Sequence, residues 1–245
     1  MHWDNVAALH ILSFKDWWEK RLSQDTRRNV RLAAKRGVVV KSVPFDDDFV
    51  EGIRGIYDES PIRQGRPFWH YGKDHETVKR DNASFVSRSE YIGAFVGKEL
   101  IGFLKMVYLD KSANIMQILS KAAHYDKRPM NALINKAVEV CDAKAIPYLV
   151  YCKYSYHGSY ENDLAEFKRR NGFEKVLVPQ YFVPLTLWGR IAVSMNLQLG
   201  ATQMLPDKLV ARLLRWRTSY YQRRTRARTP ESDEPVAVSS RECSH

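Results

Sequence analysis

The segment Tyr151–Tyr160 (YCKYSYHGSY) concentrates groups that move protons. Tyr151, Lys153 and Tyr154 can act as acids, and His157 as a base where its surroundings tune it near neutrality. Upstream, Lys121–Arg128 (KAAHYDKR) places Lys127 and Arg128 directly before Pro129. Two adjacent cations at a helix start can hold a phosphate with their side chains. A third cluster, Pro61–Lys73 (PIRQGRPFWHYGK), packs Arg63, Gln64, Arg66, Trp69, His70 and Tyr71 around Gly65 and Gly72. That density of donors and flat rings exceeds what a connection needs, although the same rings also suit a packed structural loop. His70 by itself decides nothing, since a lone histidine is more often structural than catalytic.

The elements that must position these groups are legible around them. Ala113–Ser120 (ANIMQILS) is apolar enough for a buried strand. Pro129 suits the first turn of a helix, where its missing N–H costs nothing, and Leu133, Ile134, Ala137, Val138 and Cys141 recur at helical spacing behind it. Ile146–Tyr151 (IPYLVY) reads as a second strand. Strand, crossover helix and strand make a βαβ unit with parallel strands. Ligands of such sheets collect beyond the carboxyl ends of the strands, here Ser120–Arg128 and Cys152–Tyr160. Gln117 lies three residues before Ser120, so strict alternation puts the two on opposite faces and at most one toward the cleft.

Around this unit, Phe14–Arg36 reads as helical, with Trp17, Trp18, Leu22, Val30, Leu32 and Ala33 on its apolar positions and Gly37 as its stop. Its arginines form either a solvated face or a phosphate or RNA contact surface. Val38–Val43 is a strand, and Asp46–Glu59 a helix opened by acids. Glu90–Val96 and Glu99–Tyr108 form a hairpin across Gly97-Lys98. VLVP and YFVPLT, within Val176–Thr186, read as edge strands that Pro179 and Pro184 keep from pairing further. Leu187–Leu199 is apolar, and Pro206 starts a basic amphipathic helix reaching Tyr221, which fits either an anionic membrane surface or its own domain. The expected organisation is a helical lead-in (1–37), a main domain (38–186), a helical extension (187–222) and a disordered tail (223–245).

Four stretches carry a family resemblance: LAEFKRRNGFEKVLVP (Leu164–Pro179), TRRNVRLAAKRGVVV (Thr26–Val40), HYDKRPMNALINKAVE (His124–Glu139) and RQGRPFWHYGK (Arg63–Lys73). In order and spacing they resemble the FemAB-like branch of the GNAT acyltransferase superfamily over roughly Ser23–Thr186. The resemblance implies an α/β GNAT acyl-CoA N-acyltransferase fold, a mixed, mostly antiparallel sheet with a central parallel pair flanked by helices. It implies transfer of an acyl or aminoacyl group to a small-molecule or peptide amine. Acetyl-CoA or another acyl-CoA would be the co-substrate, held by Ser120, His124, Tyr125, Lys127, Arg128 and Asn131. The Arg63–Tyr71 loop and Gln117 would face the acceptor. The chain departs from the superfamily's phosphate loop: Tyr125 stands at the Arg/Gln place, and Arg128 and Met130 stand where glycines are usual. Side chains rather than backbone would then hold the donor, or the donor would be aminoacyl-tRNA, as in FemAB-type peptidyltransferases of envelope biosynthesis. A non-catalytic module binding an anionic ligand or RNA is a further alternative. Lys168 stands where many members place a proton-donating Tyr, and reads as a solvated helix residue. FemAB proteins often carry two GNAT-like halves, so a second subunit supplying the other half would make a homodimer.

The bounds agree with an enzyme-sized domain. In 245 residues, 44% hydrophobic, one core can form, and the net charge of +11 calls for anionic partners without choosing among nucleotide, nucleic acid and lipid. Three cysteines without CxxC suit a reducing compartment. The sequence shows no signal peptide, metal-ligand pattern or uninterrupted apolar run of spanning length, so a cytoplasmic protein is expected, with room for peripheral contact at the inner membrane face.

Overall fold

In the computed structural model, residues 2–63, 66–155 and 162–195 are described, with Leu197, Arg212, Leu213, Trp216 and Tyr220. Gln64, Gly65, His157 and Tyr160, most of the expected Pro206–Tyr221 helix and the tail after it lie outside the described residues. Chain order is β1 (His2–His10), α1 (Phe14–Asp16), a π-helical turn (Trp17–Arg21), α2 (Gln24–Lys35), β2 (Val38–Val43) and α3 (Asp47–Tyr57). A two-residue pair, β3 (Ile62–Arg63) and β4 (Arg66–Pro67), precedes α4 (His75–Asn82), β5 (Ser89–Val96), β6 (Glu99–Leu109) and β7 (Ser112–Ser120). Then come α5 (Pro129–Ala143), β8 (Tyr148–Val150), α6 (Asn162–Arg170), β9 (Glu174–Gln180) and α7 (Leu187–Ser194).

The sheet has seven strands in the order β2-β5-β6-β7-β8-β1-β9, and β7–β8 is its parallel pair. Alternation along β5 and β6 feeds two apolar layers. Ile92, Ala94, Ile101, Leu104 and Met106 meet α5 residues such as Leu133, Ile134, Ala137 and Val138 on one face. Tyr91, Leu100 and Phe103 meet Phe49, Val50, Ile53, Ile56 and Tyr57 of α3, with Val78 of α4, on the other. The expected βαβ unit and the hairpin, turning at Gly97 with φ +60°, are both present.

Four local expectations are corrected. The lead-in is not helical from its start: His2–His10 is β1, an interior strand between β8 and β9. Phe14–Arg36 is not continuous. Leu22 adopts extended backbone (ψ 130°), and Ser23 caps a new helix by accepting from the Thr26 N–H at 3.2 Å. Tyr181–Thr186 forms no strand; the edge strand is β9, which contains Pro179 opposite Trp3. Lys168 is not solvated but fully buried.

Candidate functional site

β7 and β8 start together and part. They pair only from Ser112–Asn114 to Tyr148–Val150. Beyond that level, the chain after β8 stays with β1: Tyr151 N–H donates to the Ala7 carbonyl at 2.8 Å, and Ala7 N–H to the Cys152 carbonyl at 2.9 Å. β7 meanwhile follows β6 to Ser120. An opening results between Met116–Ser120 and the segment after Val150, bridged near its closed end by the Cys152 thiol over the Ile115 carbonyl at 3.7 Å.

A bulge decides what faces this opening. Lys105 pairs with Gln117 but Met106 with Ile115, so Met116 is the extra residue and reverses the alternation after it. Ala113 and Ile115 pack toward α5, and so does Ile118. Gln117 is thereby turned toward α3, where its Oε1 accepts from the Tyr57 hydroxyl at 3.0 Å. Ser120 packs on the α5 side, buried, with its Oγ unpartnered. The two residues lie on opposite faces, as alternation requires.

On the α3 side lies a connected polar group. Asn82 Nδ2 donates to the Tyr57 hydroxyl at 3.3 Å, and the Asn82 carbonyl accepts from Tyr91 Oη at 2.6 Å and from buried Lys105 Nζ at 2.8 Å. Lys105 also donates to the Ser84 carbonyl and hydroxyl. His70 stacks on Tyr57, centroids 4.4 Å apart at 26°, with a buried, unpartnered Nδ1. Burial, then the nearby Lys73 charge, lowers its pKa to about 4, so the ring is neutral at pH 7. Burial raises the Tyr57 phenol. Phe68 packs beside His70 against Tyr57, whereas Arg66, Trp69 and Tyr71 are exposed, and Lys73 Nζ sits 3.8 Å from the Trp69 ring centre. Arg63 acts as a bracket, donating to the carbonyls of Ser120 at 3.0 Å and Ile56 at 2.6 Å and pairing with Glu59 at 3.1 Å.

At the carboxyl end of β7, the loop expected to receive phosphate is held from two sides. Glu59 accepts the N–H groups of Ala122 at 2.6 Å and Ala123 at 2.9 Å, and Arg36 donates to the Asp126 carbonyl and pairs with its carboxylate at 3.2 Å. His124 Nε2 and Lys121 both engage Glu99, at 3.3 and 2.7 Å. Arg128 takes φ +56°, ψ 40°, the left-handed conformation that glycine adopts freely, and caps α5 without a side-chain hydrogen bond. It and Tyr125 are exposed, Lys127 lies 3.9 Å from Asp126, and Asn131 is buried in the first turn of α5. Four elements thus converge here, but two of the loop's backbone donors already serve an internal carboxylate.

The opposite wall belongs to β8 and α6. Tyr151 is half-buried against Phe173, Tyr154 packs on the main core, and Lys153 pairs with Asp4 at 2.8 Å. Lys168 Nζ donates to the Lys153 carbonyl and lies 4.4 Å from the Tyr151 ring centre. Burial lowers its pKa, opposed in part by Cys152. A surface groove of about 300 Å³ lined by Lys41, Phe49, Phe95, Lys98 and Leu100 lies over β2, β5 and β6, away from this opening. Among the described residues, no cluster of three or more His, Cys, Asp or Glu could hold a metal, and no helix is long and apolar enough to cross a membrane.

One parallel pair inside an otherwise antiparallel sheet, with helices around it, is the arrangement the resemblance implied. The chain shares the fold of FemX. The crystal structure of FemX superposes with a TM-score of 0.57 at 10% identity over 70% of this chain. The C-terminal domain of a putative lysylphosphatidylglycerol synthetase from Agrobacterium fabrum does so at 0.52, with 12% identity over 71%. L-PGS from Bacillus licheniformis gives 0.51, with 14% identity over 83%. The match spans 59%, 58% and 66% of those chains, under two thirds of each. No family model and no curated protein matches the sequence.

Sequence reasoning missed Glu59, Tyr57, Asn82 and Lys105 as members of this site. Tyr57 had a signal, being an apolar-face residue of α3 that carries a hydroxyl. Glu59 had none, because its partners Ala122 and Ala123 are more than sixty residues away.

Proposed function

We propose that this chain is a transferase that carries an acyl or aminoacyl group from an ester or thioester donor to an amine in the opening between β7 and β8. The observation that carries the reading is that opening itself, with the edge of Met116–Ser120, which no strand pairs among the described residues, on one wall and buried Lys168 in the other. An extended donor can add along the free strand edge by backbone hydrogen bonds. The amine nitrogen attacks the carbonyl carbon, the C–N bond forms and the C–S or C–O bond breaks. The amine proton leaves to a base, and the departing group takes one from an acid. Lys168 stabilises the developing oxyanion. Neutral His70, with Nδ1 unpartnered, takes the amine proton on the α3 side, and Tyr151 or Tyr154 returns one. Lys127 and Arg128 hold the donor's phosphates. The fold shared with FemX, with the C-terminal domain of a putative lysylphosphatidylglycerol synthetase and with L-PGS supports this reading.

One observation favours an aminoacyl ester over a CoA thioester. Glu59 occupies two amides of the loop, and no glycine brings the backbone close to a pyrophosphate. Native mass spectrometry with acetyl-CoA, longer acyl-CoAs and aminoacyl-tRNA decides between them. A retained donor that is lost in Lys127→Glu/Arg128→Glu supports the assignment. Retention unchanged by that double substitution removes these residues from the donor site, and binding of no donor overturns the proposed reaction.

A further inference from the structure

α7 and the segment before it are apolar yet exposed. No residue of Leu187–Ser194 is buried, Leu185 is 90% and Trp188 80% exposed, and Tyr181, Val183, Leu187 and Ile191 are exposed beside them. A contiguous surface of this kind marks an interaction site.

Charge chooses the occupant. Tyr181–Ile191 carries one cation, Arg190, and no acid, and the sequence that follows it to Pro230 adds eight Lys and Arg residues against one acid, Asp207. A second copy meeting this face about a two-fold axis would set positive charge against itself. Nucleic acid would leave the leucines and Trp188 uncovered. An anionic bilayer satisfies both properties, taking Trp, Tyr and aliphatic side chains at the headgroup boundary and drawing in the cations.

Register fixes the end of the sheet from which this segment leaves. Ala8 lies opposite both Val150 of β8 and Glu174 of β9, and Val150 is level with Asn114 of β7. From that common level β9 runs six residues to Gln180, and β7 six residues to Ser120. Tyr181 therefore leaves the sheet at the end where β7 and β8 part.

We propose that the face formed by Tyr181–Ile191 docks on an anionic lipid bilayer and so brings the mouth of the β7–β8 opening to the membrane surface. This does not depend on the reaction assigned to the opening. Flotation with vesicles of phosphatidylcholine, with and without phosphatidylglycerol, tests it on the full chain. Wild-type protein is expected to float with the anionic vesicles only. Leu185→Asp/Trp188→Asp is expected to lower the partition coefficient at least about tenfold, since each side chain contributes more than 1 kcal/mol when buried in an apolar phase. Circular dichroism and melting temperature are expected to stay unchanged, because both side chains are exposed in the free protein. Arg190→Glu, which leaves the apolar groups in place, is expected to weaken binding to anionic vesicles only. Wild-type protein that does not float, or a Leu185→Asp/Trp188→Asp variant that floats undiminished, overturns the proposal. So does a wild-type dimer that this variant dissociates without any lipid binding by either.

Discussion

Lys168→Met separates a chemical role for the buried lysine from a structural one. Methionine keeps the length of the side chain and removes its charge and donors. What is lost includes a charge-assisted hydrogen bond to the Lys153 carbonyl, about 1.5–3 kcal/mol, and a contact with the Tyr151 ring of about 1–2 kcal/mol. What is recovered is the desolvation of an ammonium group with no exposed surface, several kcal/mol in the opposite sense. These nearly cancel, so stability in urea is expected to change by less than about 2 kcal/mol in either direction. The acyl-transfer rate is expected to fall about 10²–10³-fold in kcat, the effect of removing one donor from a developing oxyanion. The pH dependence gives an independent reading. Burial lowers the folded-state pKa of Lys168 below its unfolded value of 10.5, so between the two the unfolded chain binds more protons. Wild-type stability relative to Lys168→Met should therefore rise as pH rises toward 10.5 and level off above it. A variant with wild-type kcat and a normal melt would refute the role in chemistry. A stability difference independent of pH would refute the burial argument itself.

Three further outcomes follow from contacts around the site. Glu59→Ala removes the acceptor of two backbone N–H groups and the partner of Arg63, and is expected to cost about 2–4 kcal/mol in urea unfolding and to speed amide exchange at Ala122 and Ala123. Unchanged exchange would mean that Glu59 does not fix that loop. The His70 ring is expected to titrate near pH 4 by NMR. An unfolded histidine titrates near 6.5, so the wild type should lose stability relative to His70→Phe as pH falls from about 6.5 to about 4, with no difference developing above that range. Gly172 sits at φ +85°, and an added Cβ would lie 3.3 Å from Trp17 Nε1. Gly172→Ala should lower stability by about 1–2 kcal/mol in thermal melts and disturb the Trp17 bond to the Asn171 carbonyl; an unshifted Trp17 indole N–H resonance would argue against that packing.

What was legible in the sequence was whatever local chemistry dictates. Pro129 ahead of a helical apolar face, Gly97-Lys98 between two β-rich runs, and the acids opening α3, where the Asp46 side chain accepts from Phe49 N–H, each act within a few residues of themselves. What escaped was set by distant chain. β1 reads poorly because only Ala7, Leu9 and adjoining Ile11 are buried in HWDNVAALHI, and its place depends on β8 and β9, more than 130 residues on. Lys168 was misread for the same reason. In EFKRR it looks like one more cation on a wet face, and only the return of the chain past Tyr151–Lys153 encloses it.

The bulge at Met116 shows why the site could be located but not oriented from sequence. Alternation correctly separates Gln117 from Ser120, since both follow the bulge. It misplaces Gln117 relative to Ile115, which precedes it, because one extra residue exchanges the faces between them. Were the pairing regular through Met116, Gln117 would point with Ile115 into the apolar layer under α5, away from Tyr57. The same irregularity sits where the parallel ladder ends, just past Asn114. One local break in the pairing thus accompanies the opening of the sheet and turns a polar side chain toward its α3 side.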